Sequence, residues 1–182
     1  MSRDLVTYII LGSRDRLKNI KIPQSSSTEE YIPANLEKNG NSEKKLDDLV
    51  GLAKGNIIVF LPPSSQPTKK SKEILKKISM IDISSWGWFK FSSKKKNFLS
   101  NIKKISTQVR SIPDIEQGIF FNKRIYFSVG GIGKFGTSPF KELSKRFYSR
   151  IDPQNPLPAL IIRSKNFNTV SYTHLRAHET SD

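Results

Sequence analysis

The 182-residue chain has no cysteine and only two histidines, His174 and His178, both within its last nine residues. The first absence excludes disulfides, thiolate metal sites and a cysteine nucleophile, and leaves the redox compartment open. The second removes the commonest general base and the commonest metal ligand from everything that precedes. Acids are also scarce, 16 Asp and Glu against 31 Lys and Arg, which gives a net charge of +15. A field of that sign favours anionic partners without fixing their class. No segment approaches the roughly 20 apolar residues that span a bilayer. The N-terminal run Leu5–Leu11 is short, follows Asp4 and lacks a small-residue cleavage site before Ser13-Arg14-Asp15-Arg16. It reads as a strand rather than a secretory signal, and the expected location is cytoplasmic.

What is present is lysine, isoleucine, asparagine, serine and phenylalanine. Codons for Lys, Ile, Asn and Phe are AT-rich, so genome composition stands as an alternative to selection for a partner in explaining part of the basicity. Strands are expected at Leu5–Leu11, Asn56–Leu61, Ser85–Phe91, Gly118–Val129 (one strand, or a hairpin turning at Asn122-Lys123) and Ala159–Arg163. Helices are expected at Glu43–Ala53 after Ser42, at Lys69–Met80 capped by Thr68, from Ser92 or Ser93 to Val109, and from Pro139 to Arg150. Residues 13–41, with Pro23, Ser25-Ser26-Ser27, Pro33 and Asn39-Gly40-Asn41, read as a long mobile loop. Alternating elements imply one α/β domain over 1–169, with a mixed sheet of about five strands and flanking helices.

The last thirteen residues stand apart. Val170 to Thr180, VSYTHLRAHET, resembles a translated reading frame of the transposase adapter used in sequencing libraries, over eleven consecutive residues. The resemblance implies that residues 170–182 are a non-native tail and that the natural chain is truncated at its C-terminus. It also disposes of a tempting constellation. His174 and His178 at i and i+4 beside Glu179 have the spacing of a zinc site on a helix, yet the adapter accounts for every one of those residues. No metal ligand, cofactor or catalytic residue is therefore assigned.

Two native segments carry chemistry. In Val129–Pro139, four glycines (Gly130, Gly131, Gly133, Gly136) lie between an expected strand and an expected helix. Convergent backbone N–H groups, Lys134 and the hydroxyls of Thr137 and Ser138 could hold an anion there. The segment superficially resembles a nucleoside-triphosphate P-loop through Gly-Gly-Ile-Gly-Lys. It departs at Phe135, where Ser or Thr would ligate magnesium, and at Ser128, where the first glycine would stand. A plain flexible turn is the simpler reading. In the second segment, Trp86, Trp88 and Lys90 precede Lys94, Lys95, Lys96, Lys103 and Lys104. Aromatics that stack bases beside lysines that neutralise phosphates are how single-stranded nucleic acid is held, although strand aromatics are usually core and helix lysines usually solvated. The lysine-rich helices at 69–80 and 94–109 also allow a membrane-surface reading, but their narrow apolar stripes suit packing on the sheet. Asp47-Asp48, Asp114, Glu116 and Glu142 read as surface acids, and no nucleophile elbow is present.

The reading that follows is a binding domain for an anionic partner, RNA or single-stranded nucleic acid first. The alternative is a phosphate- or nucleotide-binding domain using Gly130–Gly136, the front of an enzyme; a third is an assembly protein with a protein partner and no ligand.

Overall fold

A computed structural model describes residues 4–37, 41–91 and 112–162. Lys94, Lys95, Lys96, Lys103 and Lys104, the expected helix around them and the 170–182 tail with His174 and His178 lie outside the described residues.

The chain builds β1 (Val6–Gly12), α1 (Arg14–Lys18), β2 (Glu29–Asn35), α2 (Ser42–Leu52), β3 (Ile57–Leu61), β4 (Ser65–Gln66), α3 (Lys69–Ile81) and β5 (Trp86–Trp88). After a 3₁₀ turn at Ile115–Gln117 come β6 (Ile119–Asn122), α4 (Lys123–Ser128), α5 (Lys141–Tyr148) and β7 (Ile161–Ile162). The main sheet is mixed and five-stranded, in the order β2-β1-β3-β6-β5. Strands β1, β2 and β3 are parallel, with Tyr8 level with both Tyr31 and Val59. β6 runs antiparallel to β3 and to β5. The expected α/β architecture is the observed one.

Period-two alternation divides the apolar residues into two cores. One face carries Ile9, Leu11, Ile58, Phe60, Trp86, Trp88 and Phe121, covered by Leu46 and Val50 of α2, Ile125 and Tyr126 of α4, and Leu143 and Phe147 of α5. The other carries Val6, Tyr8, Ile10, Val59, Leu61 and Phe120, covered by Leu75 of α3 with Ile74 and Ile78. Burial on both faces explains why β1 and β3 read as continuous apolar runs. Thr68 caps α3 as expected, its hydroxyl accepting from Ser71 N at 3.1 Å, whereas α2 is capped by Asn41 rather than Ser42, through Lys44 N at 3.1 Å.

Three expectations are corrected. Residues 13–41 are not simply a loop, since they contain α1 and β2. Pro33 disguises β2, but an edge strand tolerates the lost N–H. Its acids have distant partners: Glu30 accepts from the Thr7 hydroxyl at 2.7 Å and from Lys54 N at 2.8 Å. The expected strand over 118–129 stops at Asn122, whose side chain accepts from Arg124 N at 2.8 Å and starts α4. A local cap and the burial of Ile125 and Tyr126 outweigh the β preference of Tyr126, Phe127 and Val129. The last strand, β7, joins neither edge of the main sheet. It pairs antiparallel with β4 instead, Ile161 level with Gln66.

Direction along the parallel strands defines two ends of the sheet. α2 and α3 each return the chain from the carboxyl ends of strands to the amino ends. Their N-termini therefore lie at what we call the carboxyl edge, and their C-termini at the amino edge.

Candidate functional site

The glycine segment begins at the end of α4, a helix rather than the expected strand, which takes it further from a P-loop. Gly130, Gly131, Gly133 and Gly136 all have positive φ, between 42° and 90°. Two of these positions are enforced by close approach. A Cβ on Gly131 would lie 2.5 Å from Asp47 Oδ1, and one on Gly133 would lie 2.8 Å from Glu142 Cδ.

Those carboxylates reveal what the loop's amides bind. Ile132 N donates to Asp47 Oδ1 at 3.0 Å, Lys134 N to Glu142 Oε2 at 2.5 Å, and Phe135 N to Glu43 Oε1 at 3.3 Å. Asp47 Oδ1 also accepts from the Tyr126 hydroxyl at 2.5 Å. Burial, and then the bond to Asp47, push the Tyr126 pKa well above the ordinary tyrosine value, so this phenol remains a donor. Glu142 is further paired with Arg146 one turn along α5, and Arg146 Nη1 donates to Val129 O at 3.2 Å. The glycines do bring amides to anions, as their spacing suggests, but the anions are the chain's own side chains.

What the loop leaves to solvent is its side chains. Lys134, Phe135, Gly136, Thr137 and Ser138, with Lys141, Glu142 and Lys145 of α5, line a cleft of about 370 Å³. Lys141 and Lys145 stand at i and i+4, one above the other on a helix face. With Lys134, Thr137 and Ser138 they place three lysines and two hydroxyl-bearing residues, beside Glu142, around one concavity, while buried Phe135 ties its lining to the core. Glu43 lies in the first turn of α2, so the loop it holds is at the carboxyl edge. The stacking of Phe140 on Phe60 of β3, 6.1 Å between centroids, fixes α5 above the same region. In open α/β sheets ligands bind outside the carboxyl ends of the strands where the strand order reverses. Here the order reverses at β1, which has β2 on one side and β3 on the other.

The sequence named Lys134, Gly136, Thr137 and Ser138 for this site but missed Lys141 and Lys145. Their i, i+4 spacing just after Pro139 was the available signal. The aromatic candidates lie elsewhere. Trp86 is fully buried against Phe147 at 5.3 Å and donates its indole N–H to Ile151 O at 2.9 Å. Trp88 is 8% exposed and packs on Trp86. Neither ring offers a face to a base, and Lys90 alone of that described group is exposed.

No protein-family model matches the chain, and no curated protein matches it. Among solved structures it is similar to the mannosyltransferase PcManGT from Pyrobaculum calidifontis in complex with GDP-Man and Mn²⁺, with a TM-score of 0.54 and 11% identity. What the two share is a fold. The match covers 94% of this chain, which spans 60% of the length of that enzyme. The manganese of that complex finds no counterpart in side chains here: among the described residues no three of Asp, Glu, His or Cys are grouped to hold a metal ion. Glu43, Asp47 and Glu142 do converge on the loop, but its amides occupy them. The described residues do not fit such an ion.

Proposed function

We propose that this chain is a nucleotide-binding domain of glycosyltransferase-like fold, taking a nucleoside diphosphate or its sugar conjugate at the cleft between Lys134 and Lys145. The observation that carries the reading is the convergence of Lys134, Lys141, Lys145, Thr137 and Ser138 on one cleft at the carboxyl edge. A diphosphate is a compact polyanion, and a lysine ammonium neutralises phosphate as a point charge with rotatable donors. The solved neighbour, of the same fold, holds GDP-Man, which supports this ligand class. The reading is preferred to single-stranded nucleic acid because the two tryptophans that would stack bases are packed in the core.

No catalytic step is assigned. Because no described acid cluster fits a divalent ion, the lysines themselves would balance the diphosphate charge, and binding should not require Mn²⁺.

Thermal shift and calorimetry with GDP, GDP-mannose and single-stranded RNA test the reading, each with EDTA and with Mn²⁺. Millimolar nucleotide should raise the Tm under both conditions, since a ligand that binds only the folded state stabilises it. Lys141→Ala with Lys145→Ala should weaken binding about a hundredfold or more, at roughly 1.5–3 kcal/mol per charged hydrogen bond lost. No shift with any nucleotide sinks the proposal. A response to RNA alone, falling steeply with salt, would restore the nucleic-acid reading.

A further inference from the structure

The amino edge of the sheet, opposite the cleft, exposes large apolar side chains in a group. Leu52, the last residue of α2, is 75% exposed. At the end of α3, Met80 is 59% and Ile81 63% exposed, and Ile83 follows at 57%. Phe127 of α4 is 46% exposed. Topology gathers them. A Cβ on Gly51 would touch the Phe127 ring at 3.9 Å, and Arg124 of α4 bonds Asp82 at 2.9 Å, joining α4 to the end of α3. Asp82 turns the chain there in the left-handed conformation, φ 56°, so Ile81 and Ile83 flank a tight tip.

The described residues that flank 92–111 meet at the carboxyl edge, where Gln117 Nε2 donates to Phe89 O at 3.2 Å. Chain beyond β7 also departs from there, because β7 pairs with β4, just past the end of β3. A second copy is disfavoured, since each chain brings a net charge of +15 and like charges repel on association. Around the apolar group stand exposed Lys54, Lys77 and Arg124, with Lys123 beside them bonding Gly51 O and Ala53 O. The acids at this edge all have partners or are half-buried: Asp82 pairs with Arg124, Glu29 with Lys72, Glu30 accepts from the Thr7 hydroxyl and Lys54 N, and Asp4 is half-buried.

We infer that the amino edge is a peripheral membrane-docking surface, inserting Leu52, Met80, Ile81, Ile83 and Phe127 among anionic lipids while basic residues meet the headgroups. Exposed apolar side chains beside lysine and arginine are the composition of surfaces that lie on membranes without crossing them. Among the described residues no helix is long and apolar enough to cross one, so docking is superficial. It would leave the cleft facing away from the bilayer.

Co-sedimentation of the full chain with vesicles tests this, using phosphatidylcholine alone and phosphatidylcholine with about a third phosphatidylserine. Binding is expected on the anionic vesicles, with a part surviving salt that screens pure charge attraction. Ile81→Ser with Phe127→Ser should lower the partition about tenfold or more, from the apolar burial lost. Both positions are exposed, so the Tm should hold, and Ile161→Ser, 46% exposed at the other edge, should bind as the parent does. Three results overturn the inference: no binding to anionic vesicles, binding untouched by the double substitution, or a concentration-dependent dimer that the same substitutions abolish.

Discussion

The two edges of this sheet solve opposite problems. At the carboxyl edge, polar groups are brought inward and matched: Asp47, Glu43 and Glu142 each take a backbone N–H of the glycine loop. At the amino edge, apolar groups are turned outward with no matching surface in the described chain. A satisfied carboxylate beneath a loop is a structural device, because unpaired polar groups under partial burial are costly. An exposed apolar group does little for stability and points to something outside the molecule. Order at one edge therefore speaks of folding, and apparent waste at the other speaks of partners.

That contrast can be broken by substitution. The largest effect is expected from Gly131→Val. Its Cβ would sit 2.5 Å from Asp47 Oδ1 at φ 83°, and a β-branched residue in that conformation adds strain. A loss of about 3 kcal/mol in urea unfolding is expected; a loss below about 1 kcal/mol would mean that the loop is not held by Asp47. Asp47→Ala comes next, at roughly 2 kcal/mol, because Ile132 N and the Tyr126 hydroxyl lose their acceptor together. Tyr126→Phe in the Asp47→Ala background should then cost far less than in the parent, which a double-mutant cycle reads directly.

The smallest effect concerns a polar cluster at the start of β2, where the amino edge does turn inward. Glu29 accepts from the Tyr31 hydroxyl at 2.7 Å and lies 3.2 Å from Lys72 Nζ. Burial alone would raise its pKa, but the bond from Tyr31 and the charges of Lys72 and Lys76 outweigh it and hold the group below the ordinary 4.5. A carboxyl whose folded pKa is depressed contributes stability that is present above its unfolded value and lost as pH falls through the folded one. Tm should therefore decline as pH drops below about 4.5, and Glu29→Gln should flatten that decline. An identical acid limb in the variant would show that the cluster contributes nothing to it.

How much of this was readable beforehand depends on the range of the forces concerned. Leu5–Leu11, the Thr68 cap and the stripe of Ile74, Leu75 and Ile78 were legible, because a strand buried on both faces, a cap and a helix face are written within a few residues. β2 was hidden since Glu29 and Glu30 look like loop residues until Lys72, Thr7 and Lys54 arrive from 23 to 43 positions away. α4 was hidden since the Asn122 cap and the burial of Ile125 and Tyr126 together outweighed a β-prone run. At the site, Lys134, Thr137 and Ser138 were named from glycine chemistry, while Lys141 and Lys145 entered only when α5 packed over Phe60 and made a cleft of them.

From residues alone came the α/β class, the positive field, the lack of cysteine and of any histidine before residue 174, and a glycine loop able to gather anions. Each of these follows from composition or from neighbours in the chain. Which anions the loop gathers was a matter for the tertiary structure. Amides at 132, 134 and 135 can be satisfied by any acceptor, and only the docking of α2 and α5 beside them selects Asp47, Glu142 and Glu43, leaving the lysines of the cleft facing solvent.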